Sequence, residues 1–514
     1  MCFCKKTLVC SVLGVFTLLG AAQDELVRFR DNGFESWRKK YNNPYWWLLV
    51  QPGSAEFCSD GQVKHSGRYS LKIVPSGNEA RVKYLRGIFK THPGRVYTFS
   101  VWAKGDATLN FEVRQWAEIP GNVGSYRSRK LKALLSKDYV LTPEWKQYSF
   151  TFSGKDPALL YMEMQFLIRG KGKKAYLDDT GVTTLAKSWN QFGMGSAVVV
   201  EKGKTAHFNT SGTPPAGGVA LLPPVLAKIN GKTTLPVMKG SVAVKAPDRI
   251  GCYPFAVVHE DLKDGRRQYI HVVESAQYKR LEQLASAVRI NPGKVLVLGD
   301  SLSDYLRGYN WAAVVDDFCR KRFPGKVQFY NFAVGGDHAP RMLDRLKEVR
   351  GTYALDRYKG IRDVKPDHIL ISLGQNDTLS LDRSKGAASP VQVPEEKFAA
   401  CIREMVTLLR KHYPGAKIVL FTPYTMCIEK TRKHFFGNRK LMYGQPEIVL
   451  RYVNLVKQLG RELNCSVLDV YTPFKQLQDR GPYFMPDGIH LSLKGNFYAA
   501  EQVLRFFGEK KSVK

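Results

Sequence analysis

The sequence predicts a multidomain protein in which two all-β sandwiches precede a C-terminal α/β domain with a parallel sheet. Three observations support this fold class. At 514 residues the chain is too long for one hydrophobic core, since domains average about 150 residues. Hydrophobic residues make up 44% and charged residues 24%, which are ordinary globular values. Short alternating strand patterns fill the first half, and apolar strands alternate with amphipathic helical patterns from Lys294 onward.

The first segment, residues 1–22, is typical of an export signal. Met1 to Lys6 carries two lysines, Thr7 to Leu19 is apolar, and small residues precede a cleavage site expected near Ala22. The apolar stretch is short for a membrane span, which needs about 20 residues, although an uncleaved anchor remains an alternative. No later run is apolar enough to form a stable span. We therefore expect a secreted or periplasmic protein.

The composition is strongly basic, with 78 lysines and arginines against 46 aspartates and glutamates and a formal net charge of +32. In a cytoplasmic protein such a charge would suggest nucleic acid as a partner, and export argues against it. Because the basic residues are scattered along the whole chain, two interpretations stay open. The charge is either a solubilising surface or an attraction to a polyanion outside the cell.

The cysteines predict neither a disulfide framework nor a zinc site. Three of the nine fall in the export signal, and the other six are widely spaced without a C-x-x-C pair. These six are Cys58, Cys252, Cys319, Cys401, Cys427 and Cys465. One or two bridges are compatible with the spacing, while most of the thiols are expected to be small buried groups.

Residues 23–187 are rich in aromatic and β-branched residues in short alternating runs, which is the strand pattern of an all-β sandwich. Examples are YTFSVWA (97–103), QYSFTF (147–152) and YMEMQFLI (161–168). Residues 194–276 form a second β-rich stretch, which we expect to be a small immunoglobulin-like sandwich. There, Tyr253 opens a strand after an acidic residue and a glycine, like the tyrosine corner of immunoglobulin-type sandwiches. A helical linker is predicted over residues 277–291.

Residues 292–510 alternate strands with helices, which predicts right-handed crossovers and a parallel sheet covered by helices. The predicted strands are VLVL (295–298), VQFYNFAV (327–334), HILISL (368–373), KIVLFT (417–422) and SVLDVY (466–471). The predicted helices are 311–322, 395–412, 447–463 and 493–507. Sites in such sheets lie at the carboxyl ends of strands, so polar residues there are candidates for chemistry.

Such residues follow four of these strands. A serine needs an adjacent base to act as a nucleophile, and the base needs a partner that fixes its tautomer. Ser301 is the candidate nucleophile, His490 the base and Asp487 the partner three residues earlier. The oxyanion formed on the substrate needs donors, for which we expect the backbone N–H groups of Ser301 and Gly336 and the side-chain amide of Asn376.

These motifs resemble those of the SGNH hydrolases, also called the GDSL esterases and lipases. The sequence has GDSLSD (299–304), NFAVGGD (331–337), GQND (374–377) and DGIH (487–490) in the order of that family. The resemblance implies a flavodoxin-like three-layer fold and a serine esterase. We expect Asp300 and His338 to line the substrate pocket. No H-E-x-x-H or similar metal motif is present, so no metal or cofactor is expected for the chemistry.

The N-terminal region carries a second resemblance, to the carbohydrate-binding jelly rolls that accompany polysaccharide-degrading enzymes. It rests on GFESW (33–37), HSGRYSLKIV (65–74), HPGRVYTFSVWAKGD (92–106), EWKQYSFTF (144–152) and AYLDDTGV (175–182). Trp46, Trp47 and Trp116 are candidate sugar platforms, because an exposed aromatic face stacks on a pyranose ring. Trp102, inside an alternating strand, is expected in the core.

The same resemblance suggests that this sandwich holds a structural calcium ion. Its ligands would be Glu35 with Asp178 or Asp179, since carboxylate oxygens suit that ion.

Three functions from different classes follow. The first is an exported carbohydrate esterase that removes acetyl or another small acyl group from a polysaccharide. The surplus of positive charge favours an acidic polysaccharide. The second is a lipase or general esterase acting on lipids or small esters. The third is a glycan-binding protein with an inert catalytic domain. The insertion over residues 424–445 is expected to wall the groove, and its mixture of aromatic and basic residues disfavours the broad apolar patch of a lipid enzyme.

Overall fold

The structure is a computed structural model. It describes residues 33–35, 37–38, 43–44, 47–121, 128–184, 197–209, 218–238, 240–259, 264–289, 293–304, 309–350, 352–434 and 443–508. The predicted export signal, residues 1–22, and the candidate platform Trp46 lie outside these ranges.

The N-terminal region is a sandwich of two antiparallel sheets. Its strands are β1 (Trp37–Arg38), β2 (Asn43–Pro44), β3 (Trp47–Leu49), β4 (Ala55–Asp60), β5 (Ser70–Pro75), β6 (Glu79–Lys90), β7 (Val96–Gly105), β8 (Thr108–Glu118), β9 (Ser128–Lys130), β10 (Leu134–Leu135), β11 (Tyr139–Val140), β12 (Lys146–Ser153), β13 (Leu159–Arg169) and β14 (Ala175–Thr184). One sheet has the order β10-β8-β13-β6-β3, with β9 and β11 also paired to β8, and the other has the order β12-β7-β14-β5-β4.

The core of this sandwich follows from the period of two along each strand. In β7, every second side chain from Tyr97 to Ala103 is buried between the sheets, while the side chains between them face outward. The runs YTFSVWA, QYSFTF and YMEMQFLI lie within β7, β12 and β13, so these three predicted strands are confirmed.

The middle region is a smaller β-sandwich with one short helix. Its elements are β15 (Ala197–Glu201), β16 (Thr205–Asn209), β17 (Val219–Leu221), α1 (Pro224–Asn230), β18 (Thr234–Pro236), β19 (Ser241–Lys245), β20 (Gly251–His259) and β21 (Asp264–Val273). The sheets are β15-β21-β20-β17-β18 and β16-β19, and β15 runs parallel to β21. The Tyr253 hydroxyl donates a hydrogen bond to the carbonyl oxygen of Arg249 at 2.8 Å, which is the corner contact that the sequence predicts. Helix α2 (Ser275–Ala287) follows.

The C-terminal domain has a five-stranded parallel sheet between two layers of helices. Its elements are β22 (Gly293–Gly299), α3 (Trp311–Arg322), β23 (Val327–Asn331), α4 (Ala339–Leu346), β24 (His368–Ser372), α5 (Glu395–His412), β25 (Lys417–Phe421), α6 (Ile428–His434), α7 (Pro446–Glu462), β26 (Ser466–Leu468), α8 (Tyr471–Lys475) and α9 (Leu493–Gly508). The sheet order is β23-β22-β24-β25-β26, the flavodoxin-like order that the resemblance implies. Along β22, Val295 and Val297 pack into one helical layer and Leu296 and Leu298 into the other.

The junction between the middle sandwich and the C-terminal domain is continuous. The carboxylate of Asp317 in α3 accepts the backbone N–H of Val199 in β15 at 2.9 Å, and the Lys321 ammonium donates to the Val199 carbonyl oxygen at 2.7 Å. Ala197 and Val199 also belong to the same buried cluster as the side chains of α3 and α9. The edge of the middle sheet is therefore covered by charged and apolar groups of α3, which removes a strand edge from solvent.

The N-terminal sandwich contacts the middle one in a similar way. The N–H of Gly121 donates to the carbonyl oxygen of Cys252 at 2.9 Å, and the guanidinium of Arg267, only 3% exposed, donates to the carbonyl oxygen of Leu159 at 2.8 Å. Among the described residues no helix is long and apolar enough to cross a membrane. All six cysteines in these ranges are free thiols.

Candidate active site

The polar residues selected from the sequence meet at one edge of the parallel sheet. Ser301 comes two residues after β22, Asn376 follows β24, and Gly336 lies in the loop between β23 and α4. Asp487 and His490 lie in the loop that precedes α9. These positions are what the carboxyl ends of neighbouring parallel strands dictate.

Ser301, His490 and Asp487 form one hydrogen-bonded chain. The Ser301 Oγ lies 2.8 Å from His490 Nε2, and His490 Nδ1 lies 2.5 Å from Asp487 Oδ2. The Asp487 side chain is 5% exposed and the His490 side chain 18%, so the carboxylate is shielded while the imidazole stays partly accessible to solvent. This is the geometry of nucleophile, base and orienting acid that the sequence predicts.

Asp487 also shapes the loop that carries His490. Its Oδ1 accepts the backbone N–H groups of Ile489 at 2.9 Å and of His490 at 3.0 Å. Between them, Gly488 has φ +72°, and a Cβ there would lie 2.4 Å from the Cys427 carbonyl oxygen. Only glycine combines this backbone conformation with so close an approach. The DGIH spacing is therefore required by the turn as well as by the chemistry.

The insertion over residues 424–445 supports the His490 loop at its beginning. The N–H of Cys427 donates to the Gly488 carbonyl oxygen at 3.0 Å. The Lys430 ammonium in α6 donates to the carbonyl oxygens of Gly481 at 2.6 Å and Phe484 at 2.8 Å. The first half of the insertion is thus bonded to the segment that carries the base, rather than only walling a groove.

Asp300 does not line the pocket as expected. It is 1% exposed, and its Oδ1 accepts the N–H of Leu302 at 2.9 Å, because the tight turn after β22 directs this side chain inward. Asp304, which sequence reasoning passed over, connects two motifs. Its Oδ2 accepts the N–H of Gly335 at 3.0 Å, so the turn that carries Ser301 is bonded to the glycine loop. The aspartate that ends GDSLSD was the signal for this contact.

The glycine loop exposes its backbone at Gly336. Gly336 is exposed and has φ +81°, a conformation that a side chain would strain. The next residue, Asp337, is fully buried and forms an ion pair with Arg345 of α4, with Nη2 and Oδ1 2.8 Å apart. The carbonyl oxygen of Asp337 accepts the side-chain N–H of Asn376 at 2.7 Å. These contacts fix the positions of Gly336 and Asn376 relative to each other.

The GQND loop is fixed on both sides of Asn376. The Gln375 amide exchanges two hydrogen bonds with the backbone of Tyr424, at 2.7 and 3.0 Å. Asp377 is fully buried and accepts the N–H of Ala339 at 2.8 Å. Burial raises the pKa of Asp377 from 3.8 to about 7, and the neighbouring Asp337 contributes in the same direction.

His338 is the N-cap of α4, where its Nδ1 accepts the N–H of Arg341 at 3.4 Å. Burial, together with the positive charge of Arg341, lowers the pKa of His338 from 6.5 to about 4. The ring is therefore neutral at physiological pH and half-buried beside Gly336, where lining the pocket stays a prediction.

The tryptophans of the N-terminal sandwich differ from the expectations. Trp47 is 1% exposed and packs on Phe34 and Phe166 in the core, so it offers no sugar platform. The reason is that β3 directs it toward the other sheet. Trp116 is half-buried on the outer face of the seven-stranded sheet, beside Tyr161 with ring centroids 5.3 Å apart. Of the three tryptophans predicted as platforms, Trp116 alone is described with a partly exposed ring, and its sugar contact stays a prediction.

Trp102 is not in the core. Alternation along β7 turns it to the outer face of the five-stranded sheet, where it stacks on His65 with ring centroids 3.9 Å apart. His65 Nδ1 in turn lies 2.7 Å from a carboxylate oxygen of Asp179. Trp102 is therefore part of a half-exposed stack on the sheet surface and not the expected core residue.

The carboxylates expected to hold calcium accept hydrogen bonds from backbone N–H groups. A Glu35 oxygen accepts the N–H of Arg68 at 2.7 Å, and Asp178 accepts the N–H groups of His65 at 2.9 Å and Ser66 at 3.1 Å. Within the ranges given above, no group of three or more His, Cys, Asp or Glu side chains could hold a metal ion.

Comparisons with known proteins find similarity over the C-terminal domain. The family model described as "GDSL-like Lipase/Acylhydrolase family" matches residues 297–496. A curated mouse (Mus musculus) protein named isoamyl acetate-hydrolyzing esterase 1 homolog is 28% identical over 222 residues, which cover 42% of this chain and 81% of the relative.

Two solved structures are similar to different parts of the chain. The lipase/acylhydrolase from Enterococcus faecalis has a TM-score of 0.32 and 20% identity, and the match covers 42% of this chain and 95% of that one. The CBM22-1 xylan-binding domain of Xyn10C from Paenibacillus barcinonensis has a TM-score of 0.21 and 14% identity, and the match covers 30% of this chain and 92% of that one.

Proposed function

We propose that this protein is an exported carbohydrate esterase, since its C-terminal domain matches the GDSL-like lipase/acylhydrolase family model over residues 297–496. It removes acetyl or another small acyl group from a polysaccharide that the N-terminal sandwich holds. The observation that carries this proposal is the half-buried pair Trp116 and Tyr161 on the outer face of the N-terminal sandwich. The same chain contains the candidate site for ester hydrolysis. The export signal predicted over residues 1–22 supports it, since polysaccharides lie outside the cell.

The chemistry is acyl transfer through Ser301. As Oγ attacks the ester carbonyl carbon, its proton moves to His490 Nε2, and Asp487 stabilises the imidazolium through Nδ1. His490 then gives that proton to the leaving alkoxide, so the sugar hydroxyl departs and the acyl group stays on Ser301. A water activated by His490 attacks this ester, releases the acid and restores the serine.

The oxyanion of each tetrahedral intermediate is stabilised by three donors. They are the backbone N–H groups of Ser301 and Gly336 and the carboxamide of Asn376. The bond from Asn376 to the Asp337 carbonyl uses only one of the two amide hydrogens, so the other stays available to the oxyanion.

The face around the two rings suits a sugar chain. Trp116 and Tyr161 pair directly across β8 and β13, and the Tyr161 hydroxyl lies 2.9 Å from the Ser128 hydroxyl. Flat rings beside hydroxyl groups match the apolar faces and polar edges of pyranoses.

The charges on the same sheet are largely paired. The ion pairs are Arg81 with Glu79 and Glu112, Arg114 with Glu112, Lys83 with Glu163, Arg129 with Asp156, and Arg169 with Glu79 and Asp138. Paired charges favour a neutral glycan at this face. The attraction of an acidic glycan, suggested by the net charge of +32, remains a prediction that salt dependence tests.

A second candidate is a general esterase for small soluble esters. The curated relative is named for the hydrolysis of isoamyl acetate, which supports acetyl as the acyl group but equally fits a small alcohol. The two candidates differ in whether the N-terminal sandwich contributes to turnover.

The full-length protein and its Trp116→Ala variant distinguish them. Acetate release is measured on two acetylated polysaccharides, one neutral and one bearing uronates, at polymer concentrations that limit the rate. The same variants are assayed on 4-nitrophenyl acetate. Losing a stacking contact of about 0.5–1.5 kcal/mol should slow release from the polymer about two- to tenfold and leave the aryl ester rate unchanged. Leu135→Ala, at a residue 56% exposed on the same sheet, is the matched control and should change neither rate. Equal polymer rates for wild type and Trp116→Ala would favour the second candidate.

A further inference from the structure

The second half of the insertion returns to the active site at Tyr443. This residue lies just before α7, and its hydroxyl oxygen is 3.3 Å from Oδ1 of Asn376. The two residues are 67 positions apart in the sequence, and no motif singles out this tyrosine. The contact joins the groove wall to a residue that we assign to the oxyanion hole.

The carboxamide of Asn376 is held at both ends. Its nitrogen donates one hydrogen to the Asp337 carbonyl oxygen at 2.7 Å, and its oxygen accepts from Tyr443. The terminal torsion of an asparagine side chain has a broad energy profile, so a single contact would leave the amide plane free to rotate. With both contacts present, the second N–H keeps one direction.

We propose that Tyr443 is a positioning residue for ester hydrolysis, whose hydroxyl holds the Asn376 carboxamide with its second N–H directed at the oxyanion. A hydrogen bond to the amide oxygen also polarises the carboxamide and strengthens its N–H as a donor. The inference rests on Asn376 being an oxyanion donor and is independent of whether the substrate is a polysaccharide.

The surroundings keep the tyrosine in its donor form. Burial raises the pKa of Tyr443, and the nearby carboxylate of Asp300 raises it further, so the hydroxyl stays protonated across the physiological range. The distance of 3.3 Å is long for an O–H···O hydrogen bond, and such contacts in unliganded sites shorten when the transition state forms. The contribution should therefore be a fraction of the roughly hundredfold that one oxyanion donor supplies.

Tyr443→Phe is the test, with 4-nitrophenyl acetate as substrate. The variant should lower kcat about five- to tenfold with KM unchanged, because the contact matters when the oxyanion forms. Tyr413→Phe is the matched control. This buried tyrosine donates a hydrogen bond to the Ile361 carbonyl oxygen at 2.7 Å, away from the residues assigned to the active site, so kcat should stay within about twofold of wild type.

A double-mutant cycle separates positioning from general damage to the fold. In the Asn376→Ala background, Tyr443→Phe should cause no further loss, since there is no carboxamide left to hold. Binding of a boronic acid that mimics the tetrahedral intermediate should weaken in Tyr443→Phe by the same factor as kcat/KM.

An unchanged kcat in Tyr443→Phe, or the same loss in both backgrounds, would overturn the proposal. Because the aryl ester needs no glycan contact, this result is independent of the test of Trp116.

Discussion

Removing the Asp317 carboxylate should destabilise the junction between the middle sandwich and the C-terminal domain by about 1–4 kcal/mol. The Asp317 side chain is 2% exposed and accepts the N–H of Val199, itself fully buried, so Asp317→Ala leaves a buried donor without its acceptor. That loss costs about 1–3 kcal/mol. The 2.7 Å ion pair with Lys321 adds less than about 1 kcal/mol, since the lysine side chain is 37% exposed.

The measurement is the unfolding of the full-length variant, followed in parallel by circular dichroism and by residual hydrolysis of 4-nitrophenyl acetate. For a unit of this size, about 1 kcal/mol shifts the midpoint by about 2–4 °C, so the variant should unfold several degrees below wild type by both probes. Asp344→Ala, which removes an exposed aspartate from α4, is the matched control and should leave the midpoint unchanged.

Two outcomes would refute this reasoning. If Asp317→Ala unfolds at the same temperature as Asp344→Ala, the carboxylate contributes nothing to the junction. If its structure melts well before its activity is lost, the middle sandwich and the C-terminal domain do not unfold together, and the shared core seen around Val199 has no cooperative effect.

The remaining predictions concern the active site. Ser301→Ala and His490→Ala should each lose nearly all ester hydrolysis, and wild-type rates in Ser301→Ala would disprove the assigned nucleophile. Asn376→Ala should lose about a hundredfold in kcat while the variant still folds. Asp377 has a folded-state pKa raised to about 7, so its stabilising contribution is complete below about pH 4 and is lost as the pH rises through 7. Asp377→Asn should therefore have the same unfolding temperature as wild type at pH 4 and a higher one at pH 8. Equal unfolding temperatures of the two proteins at both pH values would contradict the burial argument.

The active site was predictable because its residues lie in short sequence motifs that follow the strands of the sheet. In a parallel sheet the carboxyl ends of neighbouring strands share one edge, so Ser301, Gly336 and Asn376 had to approach one another once the strands were recognised. Asp487 and His490 were predictable from their spacing of three. Tyr443 was not, because its contact with Asn376 depends on how a long insertion folds back, which no local pattern encodes.

The tryptophans show that the alternation of side chains along a strand held more information than the prediction took from it. In YTFSVWA the alternation already places Tyr97, Phe99 and Val101 on one face and Trp102 on the other, and the structure follows that parity. Trp47 lies in the unbroken run YWWLLV, which has no alternation, so its direction depends on how the short strand β3 pairs with β6. Residue type alone could not decide which ring was exposed.

The bonds between α6 and the loop around Gly488 bear on protein engineering. Trimming a long insertion is a common route to a smaller or more permissive hydrolase, on the assumption that such a segment is an accessory. Here the ammonium of Lys430 and the backbone of Cys427 hold the loop that carries the base. A shortened enzyme that lacks α6 would lose the support of His490, whereas grafting new sequence between His434 and Tyr443 would leave that support in place.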